Sequence, residues 1–279
     1  MKIDFSRYKT FHENWELFRC IYLQNKVPAT KNVHLDFGGA LHKLIENGWK
    51  RVPMDTGMDE FELDSRLKAM DLLPVWTNYT INNPVDMIAN EQEFEYQIPD
   101  TPHSIIGKTD MIERRHGDTF PGDFKSLDNG TTLEQFEAQW VFNYQAEFNI
   151  LGHPELDNPD GRFSIYGIRK PWVDKGKKYQ KKPLPLDVMR IEVKRSQFEL
   201  DALIRSVIMT CDTIEFLIDR FGTVDPWVHY VHGMFDGYRC RSGECDWAAL
   251  CGQSAHNWNL DGFVDREEHL DLLREVTHD

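Results

Sequence analysis

Residues Ser104 to Ser126 constrain this chain more than any other stretch. Two β-prone runs, Ser104–Arg115 and Thr119–Ser126, flank the turn residues His116-Gly117-Asp118, so the sequence predicts two strands folded back on each other. The first strand carries Gly107-Lys108-Thr109-Asp110 and the second carries Asp123-Phe124-Lys125. Strand side chains alternate with period 2, which puts Asp123 and Lys125 on one face, and the fold-back brings Asp110 toward them. Two carboxylates and a lysine in one place suit hydrolysis of a phosphodiester with a divalent cation. The carboxylates hold a hard metal, and the lysine orients water or offsets phosphate charge.

A chain of 279 residues with 41% hydrophobic and 12% aromatic content can bury a full core. No apolar run approaches the ~18 residues of a membrane span, and Met1-Lys2-Ile3-Asp4 does not read as a secretory signal, so a cytoplasmic protein is the default expectation. The net charge of −14 argues against a surface that coats polyanions generally. Any contact with nucleic acid must then come from a local basic element. One stretch qualifies, Arg169 to Lys182, where seven basic residues meet one acidic one. Arg169, Lys170, Lys175, Lys177, Lys178, Lys181 and Lys182 offer charge to a phosphate backbone, and Trp172 and Tyr179 offer faces on which bases can stack.

Patterning predicts helices over Phe11–Gln24, Leu35–Trp49, Glu60–Tyr79, Leu133–Leu151 and Ser196–Phe221, the fourth capped by Thr131-Thr132. Further strands are expected over Met87–Ile98, Arg162–Lys170 and Val188–Lys194, with Glu91, Glu93 and Glu95 sharing one face of the first of these. His42 lies beside Leu41, Ile45 and Trp49 on the second helix, and by itself reads as a core or surface histidine.

Five cysteines in such a chain do not suggest a disulfide framework. Cys211 falls in the apolar stripe of the last helix and reads as buried and inert. Cys240, Cys245 and Cys251 cluster as C-x4-C-x5-C, with Cys20 as their distant companion. Four such thiolates suit either a [4Fe–4S] cluster or a structural zinc, and spacing alone does not separate the two.

Asp110, twelve intervening residues and Asp123-x-Lys125 resemble the PD-(D/E)XK nuclease signature. One cysteine before that core and three after it resemble the iron–sulfur branch of the RecB-like nucleases, which includes AddB-type repair nucleases, CRISPR-associated adaptation nucleases and many phage relatives. The resemblance runs from Cys20 to Cys251. It implies a [4Fe–4S] cluster, and a metal-ligand role for His42, which follows Gly39 as the family's histidine follows its Gly-rich helix start. It also implies an acidic residue near the metal on the Met87–Ile98 strand, for which Glu93 is the choice. Gln145 matches the first position of the branch's Gln-x-x-x-Tyr motif, although Asn149 stands where the tyrosine is expected.

The expectation is therefore an α/β, restriction-endonuclease-like core over 31–222, a mixed central sheet flanked by helices. Residues 1–30 would supply the first cluster cysteine, and 223–279 the cluster-binding segment and an acidic tail. The implied function is DNA cleavage, exonucleolytic and on single strands or ends. His42, Asp110, Asp123 and the Phe124 carbonyl would hold one or two Mg²⁺ or Mn²⁺ ions while Lys125 serves the reaction. A DNA-binding scaffold that cuts little and a zinc-stabilised interaction module are the rival readings.

Overall fold

The structure, a computed structural model, describes residues 1–28, 33–50, 60–128, 130–169, 187–225, 227, 260 and 263–265. In chain order its elements begin with β1 (Lys2–Ile3), α1 (Phe5–Glu13), α2 (Trp15–Phe18), a π-helical turn (Arg19–Leu23), β2 (Lys26–Pro28), α3 (Val33–Glu46), α4 (Glu60–Met70) and α5 (Leu73–Asn82). They continue with β3 (Asp86–Gln97), β4 (Ser104–Arg115), β5 (Asp118–Leu127), α6 (Leu133–Ala138), α7 (Gln145–Gly152), β6 (Arg162–Arg169), β7 (Val188–Lys194), α8 (Gln197–Phe221) and β8 (Phe263–Asp265). These residues form two compact units: Met1–Lys31, Tyr96–Ile106 and Asp201–Asp279 make the first, Asn32–Glu95 and Gly107–Leu200 the second. No helix among the described residues is long and apolar enough to cross a membrane.

The second unit is α/β, with a mixed sheet and helices on both of its faces. β4 and β5 run antiparallel, β5 and β6 parallel, β6 and β7 antiparallel, and β3 also pairs with β4. The hairpin turn is as the sequence suggests. Arg115 pairs with Asp118, and His116 (φ 56) and Gly117 (φ 99) both take the left-handed conformation that a two-residue hairpin turn requires. Period-2 alternation then sends Met111, Phe124, Tyr166 and Ile168 into a core with Phe37, Leu41 and Ile45 of α3, Ala69 of α4 and Trp76 of α5. Trp76 is edge-on to both Phe124 (5.2 Å) and Tyr166 (5.5 Å). On the other side Trp140 tilts against Phe163 at 5.8 Å, and a Cβ at Gly167 would meet the Phe136 ring at 2.7 Å. Glu113 is 1% exposed and accepts from Ser164 Oγ and Arg190 (both 2.8 Å) and from the Tyr166 hydroxyl. That buried charge is fully partnered, and it ties β4 to β6 and β7.

Two expected helices are each divided in two. Glu60–Tyr79 breaks at Asp71-Leu72, and α5 restarts with Pro74 in its first turn, where the missing N–H costs nothing. Leu133–Leu151 splits into α6 and α7. The capping box expected at the start is present, Thr132 with Gln135. The interruption follows from tertiary bonding, because the buried Arg195 guanidinium donates to the Trp140 carbonyl (2.8 Å) while pairing with Glu147 (2.8 Å). The apolar side chains of this segment divide accordingly: Phe136, Trp140, Phe148 and Leu151 are buried, whereas Leu133 and Tyr144 are exposed.

Phe94 of β3 sits where two glycines leave room for it. A Cβ at Gly152 would lie 2.4 Å from its ring, and one at Gly107 2.6 Å. Gly152→Ala is expected to lower unfolding free energy by about 1–3 kcal/mol through overpacking. Adding Phe94→Leu should restore part of the loss, as read by urea melts.

In the first unit β1 pairs in parallel with Ser104-Ile105, and Tyr8 and His12 of α1 hydrogen-bond Ser206 (2.7 Å) and Thr210 (2.9 Å) of α8. The segment expected as one helix over Phe11–Gln24 is α1, α2 and the π-turn. The buried line of α8 here is Leu203, Val207, Cys211, Ile214 and Leu217. Burial pushes the Cys211 thiol up to about 12, which leaves it protonated and inert.

Candidate active site

The β4–β5 ladder runs from Arg115↔Asp118 to Met111↔Gly122. Just beyond its last pair, Asp110 accepts the Phe124 N–H at Oδ2 (2.8 Å), so the carboxylate does the work of a ladder carbonyl and is fixed by it. Asp123 follows Gly122, Lys125 Nζ is 2.6 Å from Asp123 Oδ2, and Gln145 at the start of α7 donates from Nε2 to Asp123 Oδ1 (3.2 Å). The Lys125 ammonium also lies 6.0 Å above the Trp140 ring. From α3, His42 Nδ1 reaches Asp110 Oδ1 and Glu91 Oε1, each at 3.3 Å. Donor atoms of His42, Glu91 and Asp110 all lie within 4.8 Å of one another. Asp110, Asp123, Lys125, His42 and Gln145, chosen from the sequence, thus meet in one place within the second unit, and Phe124 is joined to them through its backbone.

Glu93, the strand glutamate chosen from the sequence, is exposed and takes no part; Glu91 does instead. The reason lies in the backbone. Glu91 has φ 49, a left-handed conformation rare for a side chain of this kind inside a strand, and it breaks the alternation of β3. Met87, Ala89 and Glu91 are the more enclosed positions before the break, Phe94 and Tyr96 after it. The three glutamates therefore do not share a face. A signal was present in the sequence: Met87 and Phe94 are seven residues apart, an odd spacing that a regular strand cannot bury on one side.

A buried cluster supports the site from below. Thr109 donates to Asn149 Oδ1 (2.7 Å) and lies 2.8 Å from His153 Nε2, while Asn149 Nδ2 donates to the Gln145 carbonyl (2.8 Å). Asn149 thus links the strand carrying Asp110 to the helix turn carrying Gln145, which gives that position a job without a tyrosine.

Asp110 and Asp123 are 6% and 3% exposed, so their charges act on each other with little screening. Burial, with Asp110 alongside, pushes the Asp123 carboxyl up to about 7 against the pull of Lys125. Burial would also raise Asp110, but hydrogen bonding and charge from His42, with Lys125, hold it below the usual range. Burial would lower His42, yet Asp110 and Glu91 outweigh it and raise the imidazolium to about 10. The site holds protons where it could hold a cation. Carboxylate oxygens with one imidazole fit a hard divalent ion, Mn²⁺ or Mg²⁺.

The pH dependence follows with a definite sign. Asp123 and His42 both bind protons more tightly folded than unfolded, so in chelator stability falls as pH rises from about 4 to 7 through Asp123, and from about 6.5 to 10 through His42. A cation held by Asp123 and His42 would displace both protons. Mn²⁺ affinity should then climb with pH by about tenfold per unit for each proton released, steeper below pH 7 than above it. Calorimetric titrations at pH 6, 7 and 8 read this directly; a flat profile would remove His42 and Asp123 from the ligand set.

The other site residues named from the sequence are placed as follows. Arg169, offered to DNA, is 5% exposed and pairs with Asp187 at 2.5 Å, so it is turned into the fold rather than toward a phosphate backbone. Lys170, Trp172, Lys175, Lys177, Lys178, Tyr179, Lys181 and Lys182 lie outside the described residues, as do Cys240, Cys245 and Cys251. Cys20 is fully enclosed in the π-turn of the first unit. A second histidine–carboxylate grouping, His103 with Asp212 and Glu215, is also in that unit and has the Met1 ammonium 3.3 Å from Glu215, a cation already in place. No protein-family model matches the chain, and no curated protein matches it either.

Proposed function

We propose that this protein is a metal-dependent nuclease that cleaves DNA, built on a restriction-endonuclease-like core of the PD-(D/E)XK kind. The observation that supports it most is the meeting of Asp110, Asp123 and Lys125 with His42, Glu91 and Gln145 around two buried, mutually repelling carboxylates. Strongly shifted groups gathered at one point, with Asp123 and His42 both raised, are a mark of functional sites. Glu91, Asp110, His42, Asp123 and the Phe124 carbonyl would hold one or two Mg²⁺ or Mn²⁺ ions. When bound, such an ion supplies a Lewis acid for the phosphoryl oxygen and a more acidic water. Lys125 carries a fixed positive charge next to Asp123, where negative charge develops as the phosphate is attacked. Gln145 holds Asp123 in one orientation through its amide. Action on single strands or ends, with Mg²⁺ or Mn²⁺, is what the family resemblance implies for this core.

Cys20 would be one ligand of a [4Fe–4S] cluster completed by Cys240, Cys245 and Cys251. Two features of the first unit support that reading. Cys20 lies in a π-turn, a conformation that recurs at functional positions. Six residues after it, β2 pairs antiparallel with β8, twelve residues beyond Cys251, so the chain that follows Cys20 is paired with chain that follows Cys251. The decisive experiment uses end-labelled single- and double-stranded DNA with Mn²⁺ and with chelator. Metal-dependent shortening supports the reading, and intact DNA under every condition overturns it.

A further inference from the structure

We propose that Lys108 is a phosphate-binding residue for the nucleic-acid strand, masked by Glu91 until a divalent cation takes that carboxylate. The inference rests on the nuclease reading above and adds a residue outside its signature.

Lys108 precedes Asp110 by two residues on β4. Its ammonium lies 2.7 Å from Glu91 Oε2, while Glu91 Oε1 faces His42. Contacts then run in one chain: Lys108 to Glu91, Glu91 to His42, His42 to Asp110, and beyond it Asp123 to Lys125. An ammonium stands at each end of this chain and the carboxylates lie between. Both ammoniums sit beside an enclosed carboxylate, Lys125 (34% exposed) beside Asp123 (5%) and Lys108 (42% exposed) beside Glu91 (9%). Lys108 is thus the solvent-side member of its pair.

A cation among His42, Glu91 and Asp110 would take Glu91 Oε1, the oxygen that faces His42, and its charge would weaken the hold of Oε2 on the Lys108 ammonium. Lys108 would then keep its charge and its flexible four-carbon stem while its pairing with Glu91 loosens. Glu46 and Glu93 also act on it electrostatically, so the rim around it is otherwise acidic. A strand whose scissile phosphate sits at the Lys125 end needs a positive contact on this side to pass that rim. An ammonium supplies it as a point charge that accepts any phosphate oxygen, without sequence preference. Metal loading and strand binding become one coupled event, in which each favours the other.

The test compares wild type with Lys108→Gln and Lys108→Arg. Mn²⁺ affinity is measured by calorimetry without DNA. Binding of a fluorescent single-stranded oligonucleotide is measured by anisotropy across a salt series, in chelator and in Ca²⁺, so that binding is read apart from cleavage. Wild type should bind DNA more tightly in Ca²⁺ than in chelator. Lys108→Gln should lose that gain, about tenfold, with a salt slope smaller by about 0.7 for one lost contact. Its Mn²⁺ affinity should be equal or tighter, because a competitor for Glu91 is gone, and Lys108→Arg should behave as wild type. Weaker Mn²⁺ binding by Lys108→Gln would mark Lys108 as a mere support for Glu91 and overturn the proposal. So would unchanged DNA binding in Ca²⁺, or a wild type that binds Mn²⁺ yet holds DNA equally with and without metal. A wild type that takes up no Mn²⁺ would instead overturn the nuclease reading, and this proposal with it.

Discussion

Asp110→Asn should reduce Mn²⁺-dependent DNA cleavage by at least about a thousandfold and relieve Asp123 in the metal-free protein. Asp110 and Asp123 are buried side by side, so the Asp110 charge adds to burial in holding the Asp123 carboxyl up, while His42 and Lys125 favour the Asp110 charge itself. Asparagine keeps an oxygen to accept the Phe124 N–H, so the local backbone bond survives. It carries no charge, so Asp123 is relieved and should titrate nearer the ordinary carboxylate range. The loss of metal-free stability between pH 4 and 7 should flatten in this variant. Lys125→Ala should abolish cleavage as well but leave Asp123 without its ammonium, and so should not share that flattening. Thermal melts in chelator across pH, alongside cleavage assays, separate loss of function from simple unfolding. Near-wild-type cutting by either variant would sink the assignment.

Cys20→Ala should lose all bound iron and destabilise the protein strongly, whereas Cys211→Ala should keep its iron. Both thiols are 0% exposed, so burial alone does not distinguish them. Their surroundings do. Arg19, beside Cys20, pairs with Glu16 (2.9 Å) and donates to the Val224 carbonyl (2.7 Å), and Glu16 in turn accepts the Trp227 N–H. Gln24 adds a bond to the Thr223 carbonyl at 2.8 Å. The turn bearing Cys20 is thereby clamped to the segment that leads into the cysteine-rich region, and a cluster there would close a loop spanning most of the chain. Cys211, packed in the α8 stripe, has the role of a small apolar side chain. Anaerobically purified wild type should be brown, with about four irons per chain. Stoichiometric zinc in colourless protein would favour the structural-zinc alternative. Iron-free wild type with an unaffected Cys20→Ala variant would leave Cys20 a core residue like Cys211.

Much of the β4–β5 hairpin could be read without coordinates because its rules are local. Alternation places Asp123 and Lys125 on one face, and His116-Gly117 accepts the positive φ values of a tight turn. The capping box at Thr132 is local too, since its two partners are three residues apart. What the chain could not disclose by itself depends on groups distant in sequence. The stripe Phe136, Trp140, Phe148 continues in helical phase across residues 139 to 144, yet the helix stops there. Arg195, more than fifty residues on, takes the Trp140 carbonyl. The odd Met87–Phe94 spacing hints at a break in the strand, but not where it falls; the residue at φ 49 fixes it at Glu91 and shifts every later side chain to the opposite face. Lys108 looked like an ordinary strand lysine until folding set Glu91 beside it. Periodicity and turn chemistry are properties of neighbours along the chain. Which carboxylates come together is settled only by the close approach of separate segments, where burial strips away the water that would otherwise let each charge stand alone.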